Sequence, residues 1–213
     1  MTRSRTGDDM YISPEYNVSH WRNLKLDLDT PDENQWKTAA DILKDRIEGR
    51  FLKPTQALID LGESSTTTFG FAILALDFLV IETVQGFRKG YPDHQGKSKE
   101  LVKDFLVNWR AFQDCVPDEA EREDRALKIF TAGRCALHHT GSTDNLIVRV
   151  LLDQMIQFHS DGGIEINRNT FHKELCAEFD RYIEELKNPA SRELRANFQK
   201  KMDFICNGSD TLA

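Results

Sequence analysis

The stretch FTAGRCALHHTGSTD, residues 130 to 144, gathers an arginine, two adjacent histidines and several hydroxyl side chains at the end of a run otherwise patterned like a buried helix. An imidazole titrates near neutrality, so it can take the proton of a ribose 2′-hydroxyl or give one to a leaving 5′-oxygen. A guanidinium stays charged and can hold a phosphate bidentately while negative charge grows on it. Arg134 and His139 are therefore the candidate catalytic pair for phosphodiester cleavage, a reaction that on these residues needs no metal or other cofactor. Thr140 and Ser142 offer hydroxyls to the same phosphate, although a turn uses such residues equally well. His138 stands beside the pair as a supporting or structural group. On a straight helix five positions turn a side chain by about 140° around the axis. Arg134 and His139 then converge only if the helix ends or tightens near Leu137, which Gly141 permits, or if a second copy of the chain completes the site.

Asp77 and Glu82 are acids in an otherwise apolar run, FGFAILALDFLVIETV. A buried charge without a partner is costly, so each must be paired or reach solvent. Glu82 orienting Arg134 or His139 is the expected partnership. Arg134 could equally be a helix-end cation or a buried salt-bridge partner of Glu82 or Asp77, and His139 a helix-ending histidine bonded to a carbonyl. Arg88, Lys89, Lys97, Lys99 and Lys103 form a local basic cluster, which reads as a solvated loop or as guidance for an RNA backbone, with Lys97 and Lys99 nearest in sequence to a binding role. His159 and His172 lack metal-ligand spacing with other candidates and read as structural. Cys135 reads as a small apolar packing group.

The elements that must position these residues are mostly helical. TPDE offers Thr30 as N-cap, Pro31 at the first helical position and Glu33 closing a capping box. Trp36, Ala40, Leu43, Ile47, Phe51 and Leu58 then make one apolar stripe on a long helix bent or interrupted at Pro54. A second helix over residues 67–88 is apolar nearly all round and should be central. A third, over 97–112, places Leu101, Phe105, Trp109 and Phe112 on one face. A fourth begins at VPDEAERED with Asp118 and Glu119 in its first turn, and carries Ala126, Phe130, Gly133 and Leu137 as its stripe. LKLDL alternates like a short strand, and a hairpin or meander is expected over 146–167 around a D-G turn. Two helices close the chain: one over 169–187 with Phe171, Leu175, Phe179, Tyr182 and Leu186 inward, and one capped by Ser191 to about residue 206.

The 213 residues suffice for a real core, organised as a tail to residue 29, a single helical domain over 30–207 and a short tail over 208–213. The composition, 39% hydrophobic and 30% charged, is that of a soluble globular protein. The four cysteines are scattered with no C-x-x-C, so neither a disulfide framework nor a zinc knuckle is expected, and a cytoplasmic setting is. No apolar segment follows the N-terminal arginines as a secretory signal would need, and the acids in the longest apolar run argue against a membrane span. A net charge of −7 argues against a protein that coats nucleic acid non-specifically.

The Arg134–His139 spacing at the end of a late helix in an all-α bundle resembles the R-x4-6-H signature of the HEPN superfamily. The run GFAILALDFLVIETVQGFRKG…SKELVKDFL…GRCALHHTG is similar to a branch of uncharacterised bacterial HEPN-like proteins over about residues 32–186. The resemblance implies a mainly α, up-and-down helical bundle with a small β-hairpin inserted after the motif helix. It further implies a homodimer through that helix, metal-independent endoribonuclease activity of the toxin or antiphage kind, and an antitoxin or regulatory partner. The chain departs from the family pattern at Cys135, where active members often carry asparagine, and at His138, where an apolar residue is usual. Two functions follow: an endoribonuclease with His139 as general acid or base and Arg134 on the phosphate, or a non-catalytic helical dimer that binds a partner protein, nucleotide or RNA.

Overall fold

The computed structural model describes residues 7–63, 69–137 and 145–207 and is mainly helical with one small three-stranded sheet. The chain divides into two compact units, one of Met1–Arg50, Gly86–His94 and Phe179–Ala213 and one of Phe51–Gln85 and Gln95–Glu178.

The first unit contains helices α1 (Val18–Arg22) and α2 (Glu33–Ile47), together with α9 (Arg192–Asn207) and the C-terminal part of α8 (Arg168–Lys187). Ile12, Val18 and Trp21 are buried, so the segment ahead of α2 joins this core. The ring of Trp21 packs edge-on against Phe198 and its Nε1 donates to Asp203 Oδ1 at 2.8 Å. Arg195 is 1% exposed. It lies over Trp36, pairs with Glu33 and donates to the carbonyls of Leu186 and Lys187, so one buried cation closes the otherwise unsatisfied end of α8.

Two expectations for this unit fail for local reasons. Asp32, not Thr30, is the N-cap of α2, accepting from the N–H groups of Asn34 and Gln35. The Asp27 carboxylate has already taken the N–H groups of Asp29 and Thr30 in a separate turn. Residues 24–28 keep their alternation of exposure but form no strand. The Lys25 N–H donates to the Gln35 side chain instead of to a neighbouring strand.

Past Ile47 the helix does not stop at Pro54; it widens into a π segment, Glu48–Leu52, and continues as α3 (Lys53–Glu63). The extra residue in the turn shifts the buried face by one position. Leu52, Thr55 and Ile59 are buried in place of the expected Phe51 and Leu58, which stay partly exposed.

The second unit is organised around α4 (Gly70–Arg88), with α5 (Ser98–Asn108), α6 (Arg110–Cys115) and α7 (Glu119–Ile129). Among the described residues α4 alone has the length and composition of a membrane span, yet 61% of its most apolar window is buried within the protein. The helix expected over 97–112 is two helices, broken where Trp109 takes an extended conformation. That break lets the Trp109 ring meet Phe105 and Phe171, at centroid distances of 5.6 and 5.2 Å, and the Gln113 amide covers the freed Val107 carbonyl. The expected stripe of Leu101, Phe105, Trp109 and Phe112 is nevertheless fully buried. Asp118 sits just outside α7 as its N-cap, accepting from the Ala120 N–H.

After α7 the helix widens again, into a π segment over Phe130–Cys135. Strands β1 (Leu146–Arg149), β2 (Ile156–Phe158) and β3 (Ile164–Asn167) follow in the order β1-β3-β2. The expected hairpin is the antiparallel β2–β3 pair, with Gly162 at positive φ in its turn. β1 adds to it in parallel, Leu146 opposite Ile164.

Candidate functional site

Arg134 projects from the second π segment, where a widened turn re-aims side chains and interrupts the regular hydrogen-bond ladder, a device common at functional sites. Gly133 makes this approach possible. A Cβ there would lie 2.9 Å from two ring carbons of Phe78 on α4, so only glycine lets the two helices come this close.

Across that contact Glu82 receives the arginine. Its Oε2 accepts from Arg134 Nη2 at 2.9 Å and from Nε at 3.2 Å, while its Oε1 accepts from Ser98 Oγ at 2.7 Å. Ser98 Oγ accepts in turn from Arg134 Nη2 at 3.2 Å, closing a triangle of charge-assisted bonds. The Arg134 side chain is 21% exposed and that of Glu82 9%, so the pair sits at the floor of a surface opening, shielded from full solvent screening. Nη1 makes no hydrogen bond with a described residue. The Phe130 ring lies 5.9 Å from the guanidinium carbon.

The opening is a groove of about 190 Å³ lined by Ala75, Phe78, Leu79, Glu82, Arg134 and Leu137. Its lining is apolar apart from the ion pair. Phe71 and Leu79, 44% and 43% exposed, extend the apolar surface along α4.

Of the residues singled out from sequence, Arg134 and Glu82 are in contact. His138, His139, Thr140 and Ser142 lie outside the described residues. Lys97 and Lys99 are exposed and flank Ser98 in the chain; Lys97 ion-pairs with Glu100 at 3.5 Å. Lys103 bonds Glu123, and Arg88 is drawn over the Tyr182 ring, so those two cations are engaged within the protein. Cys135 is partly buried in the π segment. Asp77 is not a partner of Arg134: it pairs with His172 at 2.8 Å. Five residues apart on α4, Asp77 and Glu82 look in directions about 140° apart, and each meets a different cation.

Ser98 is the member that sequence reasoning missed. As the first residue of α5 it has the look of a helix-capping serine, and only the fold brings its hydroxyl to Glu82 and Arg134. Among the described residues no group of histidines, cysteines and carboxylates is arranged to hold a metal ion. Compared with protein-family models, with curated proteins and with solved structures, the chain matches none.

Proposed function

We propose that this protein is a metal-independent, HEPN-like endoribonuclease in which Arg134 holds the scissile phosphate and His139 moves the proton. The observation that carries the reading is the fixed geometry of Arg134: two of its nitrogens are spent on Glu82 and Ser98, which orients the fork of a side chain that lines a surface groove. A preorganised cation costs no reorganisation when charge builds on the phosphate. His139 then takes the 2′-hydroxyl proton; the 2′-oxygen attacks phosphorus, the 5′-oxygen leaves with a proton, and a 2′,3′-cyclic phosphate remains. Lys97 and Lys99, exposed beside Ser98, guide the backbone toward the groove. The apolar wall of Phe71, Ala75 and Leu79 is where a second copy would dock through the motif helix and bring a second Arg134 and His139 to a shared cleft.

The test is incubation of labelled single-stranded RNA with purified wild type, Arg134→Ala and His139→Ala in EDTA. Cleavage by wild type alone, leaving cyclic phosphate ends, supports the assignment.

One observation favours a second reading. The Arg134 charge is already met by Glu82, as in an ion pair whose work is structural. On that reading the groove belongs to a non-catalytic helical dimer that binds a protein, nucleotide or RNA, and the variants lose association or stability with no activity to lose.

A further inference from the structure

In the second unit, away from the Arg134 groove, three side chains stand in a line. Asp77 on α4 is fully buried, and its Oδ1 lies 2.8 Å from His172 Nδ1 on α8. His172 Nε2 lies 3.5 Å from the sulfur of Cys176, one helical turn further along the same face of α8. Cys176 is partly exposed, so the line runs from the interior to the surface. We propose that Cys176 is a reactive thiol, held as a nucleophile by the His172–Asp77 pair, and that its substrates are small hydroperoxides reaching it from solvent.

Asp77 sets the charge state of the line. Its second oxygen, Oδ2, is buried and has no hydrogen-bond partner among the described residues, so His172 is the group that must compensate an ionised carboxylate there. An imidazolium does so by donating from Nδ1, and its remaining proton, on Nε2, then faces the sulfur. Burial acts to lower the His172 pKa, but its hydrogen bonds to Asp77 and Cys176 and the Asp77 charge overcome it and raise it to about 10. At neutral pH the Cys176 sulfur therefore faces a cationic N–H donor 3.5 Å away. A carboxylate that orients and charges an imidazole, which in turn activates a nucleophile, is the general form of an activated thiol site.

Among the described residues no comparable support reaches the other thiols. Burial pushes the Cys115 thiol up and that of Cys206 up to about 12. Cys135 has no histidine or carboxylate hydrogen-bonded to it among the described residues.

With a hydroperoxide ROOH the thiolate attacks the hydroxyl oxygen. The S–O bond forms as the O–O bond breaks, sulfur is oxidised by two electrons and the peroxide is reduced. The departing alkoxide takes the Nε2 proton of His172 and leaves as ROH, with a sulfenic acid on Cys176.

The four cysteines of the native protein compete in one tube, which makes the test internal. Brief, limiting iodoacetamide is applied at about pH 6.5, where an unperturbed thiol is almost wholly protonated, and each cysteine's labelling is read by peptide mass spectrometry. Cys176 should react on the order of ten times faster than Cys115 and Cys135. Hydrogen peroxide with dimedone present should place the sulfenic-acid adduct on Cys176 first. In His172→Gln that advantage should vanish while Cys115 and Cys135 keep their rates, which a general loss of structure would not produce. Labelling of Cys176 no faster than the other partly exposed thiols in wild type overturns the proposal, whether or not the variant folds. An unchanged Cys176 rate in a folded His172→Gln protein overturns it too.

Discussion

Arg134 places both Nε and Nη2 on a single carboxylate oxygen of Glu82, at 3.2 and 2.9 Å, with Ser98 joined to both residues. The arginine is thereby held in one orientation.

Replacing Glu82 with Gln removes the charge but keeps the shape. Because the pair is mostly shielded, the loss should cost about 1–3 kcal/mol in stability, read as a lower urea midpoint at unchanged m-value. Arg134→Ala should cost a similar amount, and the double variant Glu82→Gln/Arg134→Ala less than the sum. Strict additivity would mean that the two side chains are not coupled.

Gly133→Ala tests the close approach of the motif helix. The added methyl would meet the Phe78 ring at 2.9 Å and Leu146 Cδ1 at 3.2 Å, both in the core. Overpacking at such a site costs about 1–3 kcal/mol, so thermal unfolding should shift several degrees lower. A variant as stable as wild type would contradict the packing.

The His172–Asp77 pair should make stability pH-dependent on the alkaline side. His172 is raised from 6.5 to about 10, so its contribution is present near pH 6.5 and is lost as pH rises through about 10. Burial raises Asp77 to about 6, which leaves it ionised at neutral pH to hold the imidazolium. Urea titrations of wild type and His172→Gln should therefore converge between neutral pH and pH 10. A constant gap between the two proteins over that range would mean that His172 carries no proton for Asp77.

Leu79 is 43% exposed beside the Arg134 groove, where the proposed dimer would bury it. Leu79→Glu should weaken self-association in sedimentation equilibrium while leaving the circular dichroism spectrum unchanged. A wild-type protein that is monomeric at all accessible concentrations would exclude the dimeric cleft.

The sequence makes the helical layout readable because apolar spacing is a local property. The stripes of α5–α6 and α8 are buried where expected, and the stripe of α5–α6 persists even though Trp109 breaks the helix that was expected to carry it. Spacing does not reveal where a helix widens. The π segment after Ile47 moves the buried face from Phe51 and Leu58 to Leu52, Thr55 and Ile59, and nothing in a 3.6-residue period marks the extra residue. Capping shows the same limit: Thr30 and Asp32 are both competent N-caps, and the competing Asp27 turn decides between them.

For the site, two acids in an apolar helix announce that partners exist, because a buried charge cannot stand alone. Pairing Glu82 with Arg134 follows from that need. The other pairing, Asp77 with His172, spans 95 residues and depends on which side of α4 faces α8, information that only the packed fold contains. Ser98 is hidden for the same reason.

Cleavage of labelled single-stranded RNA in EDTA by wild type, Arg134→Ala and His139→Ala, with the product ends identified, tests the central claim most directly. Wild type alone is expected to cut, leaving 2′,3′-cyclic phosphate and 5′-hydroxyl ends. Equal inertness of all three proteins, with the Arg134→Ala and His139→Ala variants instead losing stability or association, would contradict it and leave the Arg134–Glu82 pair as a structural bond.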